Sequence, residues 1–209
     1  MPSTVRAHED PAWESHIRVR AKEELRRRMR AIRKGLPREA RAERARKLGE
    51  RLLALPETAT PTIVAAFVAI RGEVNLAPVL RELRARGATV AMPRVDPEEA
   101  AIVLHEHHDG DPLEESGFGV PEPLPSAPRV DLARVDLVLV PGLAFDPRGF
   151  RVGYGKGYYD QLLPTLPHAF RLAVGYDFQL VAEVPELPHD ERVQAIVTDA
   201  RVLRVEDRS

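Results

Sequence analysis

The sequence predicts a single-domain, three-layer α/β fold: a mostly parallel central sheet flanked by helices, with two amphipathic helices at the N-terminus. Three observations support this class. The chain has 209 residues, a length at which one hydrophobic core is usual. Its middle alternates β-branched apolar runs with amphipathic runs, an order that favours parallel strand pairing. Its basic residues concentrate before residue 52, in segments of helical periodicity.

Two helices are predicted at the N-terminal end. Pro11 suits a first helical position, and Gly35 suits the end of the helix. The apolar stripe between them is Trp13, Ile17, Ala21, Leu25, Met29 and Ile32. A second amphipathic helix is predicted from about Arg38 to Leu55. We expect residues 1–20 to form an extension leading into the first helix and residues 21–209 to form the domain proper.

A strand–helix–strand unit is predicted next. The run Thr62–Ile70 is continuously apolar, as in a strand covered on both faces. Asn75 can cap a helix that runs to about Arg86, and Gly87 suits its C-terminal end. Further elements are predicted as strands at Thr89–Met92, Ala101–His107, Asp136–Val140, Phe170–Val174 and Ala195–Thr198, and as short helices at Gly157–Leu163 and near Gln179–Glu183. The prolines between 121 and 128 predict a surface connection.

Charge and composition narrow the function classes. The totals nearly cancel, with 31 Lys and Arg against 32 Asp and Glu. Residues 18–51, however, hold 15 Lys and Arg against 5 Asp and Glu, a local balance of +10. No cysteine is present, which excludes disulfides and thiolate zinc sites. No apolar run approaches the ~20 residues of a membrane span, so we expect a cytoplasmic protein without a membrane partner.

A loop rich in glycine and aromatic residues follows the Asp136–Val140 strand. Gly153, Gly155 and Gly157 alternate with Tyr154 and Lys156. Such glycines permit positive φ and close approach of backbone N–H groups to a phosphate. A flexible surface loop is the simpler interpretation, but five of the eleven aromatic residues lie between residues 145 and 159. That crowding favours a flat ligand.

The segment Asp136–Asp160 closely resembles the signature of the 5-formyltetrahydrofolate cyclo-ligase family, also called 5,10-methenyltetrahydrofolate synthetases. The matching parts are Val138-Leu-Val-Pro-Gly142, Phe145-Asp146 and Arg151-Val-Gly-Tyr-Gly-Lys-Gly-Tyr-Tyr-Asp160. Weaker matches are Lys22-Glu-Glu-Leu-Arg26, Glu73-Val74 and Gly119-Val-Pro-Glu-Pro123. The resemblance covers most of the chain from Lys22 onward.

The resemblance implies ATP-dependent cyclisation of 5-formyltetrahydrofolate to 5,10-methenyltetrahydrofolate, with Mg²⁺ as cofactor. Oxide is not a leaving group at neutral pH, so the formyl oxygen must first be phosphorylated. N10 then attacks the formyl carbon, and ADP and phosphate are released. The protein's task is to position two ligands and to stabilise charge while the phosphoryl group moves. The implied partners are the two small substrates, and we expect a monomer or weak homodimer.

The resemblance also assigns site residues. Lys156 and Arg151 are implied as catalytic, with Lys156 nearest the transferring phosphoryl group. Asp160 and Asp190 are implied as Mg²⁺ ligands. The implied ATP contacts are Lys22, Arg26, Arg151, Gly153, Gly155, Lys156, Gly157, Tyr158 and Tyr159. The implied folate contacts are Val68, Glu73, Tyr154, Gly155, Lys156, Gly157 and Tyr158.

Simpler interpretations stand beside several of these roles. Lys22 and Arg26, at i and i+4, share one helix face, which can simply be a basic face exposed to solvent. Asp160 can offset a helix dipole, Glu73 can be a turn charge and Val68 can be core. As a donor-rich pterin needs acceptors, a carboxylate at Glu73 would suit its aminopyrimidine edge.

Two other functions remain open at this point. The basic segment is compatible with a nucleic-acid-binding protein, although no RNA-binding signature accompanies it. A catalytically inactive folate or nucleotide sensor would keep the fold without the chemistry. His105, His107 and His108 lack the further ligands of a zinc site, so we expect surface histidines. We expect no nucleic-acid partner.

Overall fold

The computed structural model of the protein describes residues 11–96, 98, 101–115 and 119–206. Residues 1–10 of the predicted extension lie outside this range. Residues 11–20 belong to the first helix, which is continuous to Gly35. The division at residue 20 therefore falls inside one helix. That residues 1–20 form an extension separate from the domain remains a proposal from the sequence.

The described chain forms four α-helices and eleven strands. The helices are α1 (Pro11–Gly35), α2 (Arg38–Leu53), α3 (Ala77–Ala85) and α4 (Tyr158–Leu162). The strands are β1 (Ile63–Ala65), β2 (Thr89–Asp96), β3 (Ala101–Glu106), β4 (Leu113–Glu115), β5 (Pro121–Pro123), β6 (Leu137–Val140), β7 (Ala144–Phe145), β8 (Arg151–Val152), β9 (Phe170–Val174), β10 (Ala195–Val197) and β11 (Val202–Arg204). Short 3₁₀ turns cover Pro56–Thr58, Leu132–Arg134, Leu163–Thr165 and Asp177–Gln179.

Seven strands form the central sheet in the order β11-β10-β9-β6-β1-β2-β3. The five inner strands pair in parallel, and the outer strands β3 and β11 pair antiparallel to their neighbours. This confirms the predicted α/β class with a mostly parallel sheet. From β1 the chain moves to β2 on one side, whereas from β6 it moves to β9 on the other. Open α/β sheets bind ligands beyond the carboxyl ends of strands at such a reversal.

Apolar clusters cover both faces of the sheet, which confirms the three layers. On one face, Leu48 and Leu52 of α2 pack with Val79 and Leu83 of α3 over the sheet. On the other face, the core includes Leu162, at the end of α4. Met29 of α1 packs in a third cluster with strands β7 and β8. This last contact ties α1 to the segment that carries the glycine loop.

Some predicted elements are wrong in detail. The strand predicted over Thr62–Ile70 is found only as β1, which ends at Ala65. The Ala66 N–H still donates to the Ala91 carbonyl at 2.9 Å, and the chain leaves the sheet after it. The helix near residues 179–183 is absent from the described chain; the 3₁₀ turn at Asp177–Gln179 stands there instead. The predicted proline connection is partly a strand, since β5 pairs with β4.

Side-chain burial divides the apolar stripe of α1 and corrects one further expectation. The α1 stripe is not uniformly buried, because Trp13 is 60% exposed whereas Met29 is 4% exposed. His105 is buried, not on the surface, and its Nδ1 lies 2.7 Å from the Ala127 carbonyl oxygen. Within the described ranges, no three His, Asp or Glu side chains come together as a metal-binding group. No described helix is both long and apolar enough to cross a membrane.

Candidate functional site

A cavity of about 660 Å³ opens beyond the carboxyl ends of β1 and β6. It is lined by α1, by the segment 67–73 that follows β1, by the glycine loop (residues 151–160), by the segment 187–190, and on the far side by β2, β3 and the chain at β5. Every site residue predicted from the sequence lines this one cavity. Residues from positions 22 to 190 are thus brought together, while their individual roles remain predictions.

The glycine loop uses backbone conformations that suit glycine. Gly155 has φ +102° and Gly157 has φ +71°, a region that L side chains rarely adopt. The loop is held by α1, because Arg26 Nε donates to the Gly153 carbonyl at 3.0 Å. A Cβ on Gly155 would lie 3.6 Å from the Arg26 guanidinium carbon. The helix and the loop therefore pack closely, and α1 places the basic side chain of Arg26 against the loop backbone.

Two ion pairs join predicted phosphate cations to predicted metal carboxylates. Lys22 Nζ binds Asp190 Oδ2, with the two side chains only 5% and 6% exposed. Arg151 donates to Asp160 Oδ1 at 2.8 Å. The two pairs are neighbours, since the backbone N–H of Glu191 also donates to Asp160 Oδ1, at 3.2 Å. Each charge is balanced without a ligand, and each partner is a group that Mg²⁺ or a phosphate would attract.

A buried network connects the glycine loop to the segment after β1. The Tyr154 hydroxyl donates to Glu73 Oε1 at 2.7 Å and accepts a hydrogen bond from Arg33 of α1. Arg33 Nε donates to the Arg71 carbonyl at 3.0 Å. Glu73 Oε2 accepts from the Ile70 N–H at 3.0 Å. Three distant segments are thus fixed relative to one another at the cavity wall.

The turn that presents Glu73 is strained at a non-glycine residue. Arg71 has φ +48° and Gly72 has φ +79°, and Glu73 N–H donates to the Ile70 carbonyl at 2.9 Å. Positive φ at both central positions is the pattern of a type I′ turn. Strained residues persist only where their surroundings fix them, and they concentrate at functional sites. Here the Arg33 hydrogen bond to Arg71 provides part of that restraint.

Burial governs the electrostatics of this network. Burial raises the pKa of Glu73, against the opposing effects of the Ile70 N–H, the Tyr154 hydroxyl and the Arg33 charge. The pKa of Tyr154 is also raised, first by burial and then by the nearby Glu73 charge. Burial likewise lowers the pKa of Arg26. The Tyr154 hydroxyl therefore stays protonated at neutral pH and acts as a donor to Glu73.

The far wall of the cavity is mainly apolar. It comes from β2, β3 and the chain at β5, and its apolar members are Pro93, Val95, Ile102, Val120 and Pro121. Two charged residues lie among them: Glu122, which is 4% exposed, and Arg94, which pairs with Glu114 at 2.6 Å and donates to the Pro123 carbonyl at 2.7 Å. The cavity thus has a cationic side at α1 and the glycine loop, and a mainly apolar side that holds one buried acid and one paired arginine.

Sequence reasoning missed Arg33, Arg71 and the whole far wall. For Arg33 a signal existed, because Lys22, Arg26 and Arg33 are spaced i, i+4 and i+11 and so share one face of α1. Arg71 stands beside Gly72, which indicates a turn but not its conformation. In the far wall, Val120, Pro121 and Glu122 lie in the matched segment Gly119–Pro123, to which the resemblance assigns no site role. No local pattern marks the remaining residues, because they come from separate strands.

Known proteins resemble this chain over most of its length. The model of the 5-formyltetrahydrofolate cyclo-ligase family matches residues 18–199. The cyclo-ligase of Escherichia coli is 30% identical over 178 residues, covering 83% of this chain and 98% of that protein. The enzyme of Mycolicibacterium smegmatis is 34% identical over 147 residues, covering 66% of this chain and 74% of that protein.

Solved structures agree. The 5,10-methenyltetrahydrofolate synthetase of Aquifex aeolicus superposes with a TM-score of 0.79 at 34% identity, covering 90% of this chain and 94% of that one. The synthetase of Mycoplasma pneumoniae, 21% identical, shares the fold with a TM-score of 0.70 over 85% of this chain and 98% of its own. The chain therefore belongs to the 5-formyltetrahydrofolate cyclo-ligase family, and the protein is a ligase of folate one-carbon metabolism.

Proposed function

We propose that this protein uses ATP to convert 5-formyltetrahydrofolate to 5,10-methenyltetrahydrofolate, releasing ADP and phosphate. The observation that carries the proposal is the two-sided cavity, whose cationic side suits phosphates and whose apolar side suits a flat ring. The glycine loop lies where the two sides meet. Both substrates can therefore share one site at the carboxyl edge of the sheet.

ATP takes the cationic side in this proposal. Lys22, Arg26 and Arg151 surround the loop, and each already contacts a carboxylate or a carbonyl oxygen that an anionic ligand can replace. Gly153 and Gly157 leave space for phosphates beside the backbone, because a Cβ added at either would meet no described atom within 4 Å. Gly155 lies between them, and Tyr158 and Tyr159 border the same volume and complete the ATP side.

The reaction needs the formyl oxygen to attack the γ-phosphorus while the bond to ADP breaks. We place Lys156 next to the transferring group, because it is exposed to the cavity and its ammonium is a mobile point charge. Arg151, held by Asp160 and the Glu191 carbonyl, provides a fixed charge. N10 then attacks the activated carbon, and the phosphorylated oxygen leaves as phosphate.

The residues present fit a Mg²⁺ ion. Asp160 and Asp190 both line the cavity, and the Glu191 N–H bond to Asp160 shows that their segments adjoin. Two carboxylates suffice, because Mg²⁺ in nucleotide sites takes one or two from the protein and further oxygens from phosphate and water. When bound, the ion would neutralise phosphate charge. Lys22 and Arg151 each contact one of the same two carboxylates and would lie beside the ion and the phosphates.

The folate takes the remaining volume. Val68 and Glu73 border it from the segment after β1, and Tyr154, Gly155, Lys156, Gly157 and Tyr158 border it from the loop. Tyr154 offers a ring surface that Arg30, Arg33 and Arg71 already approach, at 5.6 to 6.0 Å from its centroid. The ring is thus held in place before the folate arrives, which reduces the entropic cost of binding.

A single assay tests the proposal. Purified protein is mixed with 5-formyltetrahydrofolate, ATP and Mg²⁺, and the absorbance of the methenyl product is followed. We expect product formation that requires ATP and releases one ADP per methenyl group. Absence of ATP-dependent product, with both ligands bound, would instead support the inactive sensor. Parallel runs with EDTA test the metal, and sedimentation of the active protein tests the expected monomer or weak homodimer.

Nucleic-acid binding is the second candidate, and the contacts of the basic segment disfavour it. Arg18 pairs with Glu186, Lys22 with Asp190 and Arg44 with Asp199, all carboxylates outside the basic segment. Arg33 is buried. Part of the +10 balance is thus neutralised by other segments or buried in the interior. Salt-sensitive binding of random RNA at sub-micromolar affinity would favour the nucleic-acid-binding function over the ligase.

Fractionation of the source cells would test the expected cytoplasmic location.

A further inference from the structure

Glu122 is a carboxylate in the cavity that lies in the matched segment Gly119–Pro123, but the resemblance assigns it no role. It stands at the centre of β5, is 4% exposed, and lines the cavity on its apolar side. Among the described residues its side chain accepts one hydrogen bond, a long one of 3.3 Å from the Val95 N–H to Oε2. Burying a carboxylate with so little compensation is costly unless something else binds it.

Glu73 is differently placed. Its Oε1 already accepts from the Tyr154 hydroxyl and lies 3.7 Å from Arg33, and its Oε2 accepts from Ile70. An ionised carboxylate has about four acceptor positions. Glu73 therefore uses much of its hydrogen-bond acceptor capacity to fix the loop. Among the described residues, Glu122 uses only one of its acceptor positions.

The chemistry of the substrate separates the two acids further. In 5-formyltetrahydrofolate, the formyl group and N10 lie on one side of the bicyclic ring, and the 2-amino group and N3–H lie on the opposite side. With the formyl oxygen at the loop, where phosphate transfer is proposed, the donor edge lies at the far end of the ring. We place that edge against the far wall and not at Glu73, whose carboxylate the sequence suggested as its acceptor.

We propose that Glu122 accepts paired hydrogen bonds from the 2-amino group and N3–H of the pterin, and so selects the folate ring. The inference rests on the proposed function and adds a specificity-determining residue to it. Glu73 keeps its contact with the folate near the reacting end, where it also positions Tyr154. The apolar neighbours Val95 and Pro121 exclude water, which strengthens the charged hydrogen bonds.

The test compares Glu122→Gln with the wild type, using two probes: 5-formyltetrahydrofolate and its 2-desamino analogue. Binding is measured by calorimetry with a non-hydrolysable ATP analogue and Mg²⁺ present. We expect Glu122→Gln to weaken 5-formyltetrahydrofolate binding by about 10-fold to 100-fold, the range for a lost hydrogen bond to a charged group. The wild type should bind the analogue less tightly by a similar factor, and the variant should discriminate little between the probes.

Glu115→Gln is the matched control, because Glu115 lies on the neighbouring strand β4, is exposed and does not line the cavity. It should bind both probes as the wild type does. ATP-analogue affinity should stay within about twofold in both variants. If Glu122→Gln fails to fold, Glu122→Asp replaces it, and this variant should lose most of the wild type's preference for the 2-amino probe; a fully retained preference overturns the inference.

Two further outcomes overturn the inference: equal binding of both probes by the wild type, or unchanged 5-formyltetrahydrofolate binding by Glu122→Gln. Failure of the proposed function looks different, because the wild type would then bind neither folate probe or form no methenyl product. The two failures are thus distinguished by whether the wild type binds the folate probes and forms product at all.

Discussion

The two sides of the cavity differ in how the chain builds them. The cationic side is largely one loop, residues 151–160, with one helix face docked against it. The apolar side is assembled from β2, β3 and β5, whose residues are scattered between positions 93 and 122. The first side holds mutually paired charges, whereas the second holds Glu122, with a single hydrogen bond among the described residues, and the paired Arg94. In our proposal the first side carries the chemistry and the second recognises the ring.

This contrast explains the order of the expected effects. Changes on the cationic side disturb buried ion pairs or the phosphoryl transfer itself. Changes at the network between the sides, around Tyr154, should act mainly on folate binding. Four predictions test whether the sides are separable in this way.

The largest effect is expected for Lys22→Met, because it leaves Asp190 buried without its partner. Both side chains are almost fully covered, and removing one member of a buried pair typically costs about 3–5 kcal/mol. We expect a loss of that order in the free energy of unfolding, measured with denaturant, together with loss of ATP binding. The double variant Lys22→Met/Asp190→Asn should recover most of the stability but not the binding. Normal ATP affinity in either variant would contradict the role of Lys22.

Lys156→Ala should act on catalysis without comparable loss of stability. Lys156 is exposed to the cavity, and removing one group that stabilises transition-state charge costs about 10²–10³ in kcat. The methenyl absorbance assay measures this, with unfolding curves as the check on stability. Lys47→Ala, an exposed lysine 3.5 Å from Glu43 on α2, is the control and should turn over normally. Wild-type turnover in Lys156→Ala would remove this lysine from the mechanism.

The same contrast determines how much the sequence predicts. The glycine loop is recognisable because its residues are contiguous, and its glycines at 155 and 157 do have positive φ. The central strands are recognisable because buried parallel strands are continuously apolar; Phe170–Val174 is found with the predicted bounds. Lys22 and Arg26 can be paired from the sequence because helical spacing puts them on one face.

The rest depends on tertiary contacts that no local pattern encodes. Residues 67–70 are as apolar as β1 but leave the sheet to reach the cavity. Pro121 and Pro123 suggest a loop, yet the short edge strand β5 tolerates them because an edge strand does not need every N–H. From the sequence alone, Arg33 cannot be told from the solvated arginines of the same helix. Its hydrogen bonds to Tyr154 and Arg71 are visible only in the structure.

Arg33→Lys should weaken folate use more than ATP use. A lysine ammonium cannot match the planar fork with which Arg33 reaches Tyr154 and the Arg71 carbonyl together. Loosening Tyr154 should raise the KM for folate about tenfold, as expected for one or two lost hydrogen bonds, with the KM for ATP unchanged. Arg38→Lys, at the exposed start of α2, is the control. Equal changes in both KM values would mean that Arg33 supports the whole site rather than its folate side.

The smallest effect concerns pH and the cost of burying Glu73. Burial raises the pKa of this carboxyl above its ordinary value of 4.5, so the folded protein binds its proton more tightly than the unfolded chain does. The resulting contribution to stability is complete below 4.5 and is lost as pH rises through the folded pKa. Glu73→Gln does not titrate. The free energy of unfolding of the wild type minus that of the variant should therefore fall as pH rises from 4.5 and level off above the folded pKa. Denaturant unfolding of both proteins over this interval measures the difference. A difference that grows with pH would show that Arg33 and the Tyr154 hydroxyl outweigh burial, and that the network between the two sides holds Glu73 as a stabilised anion.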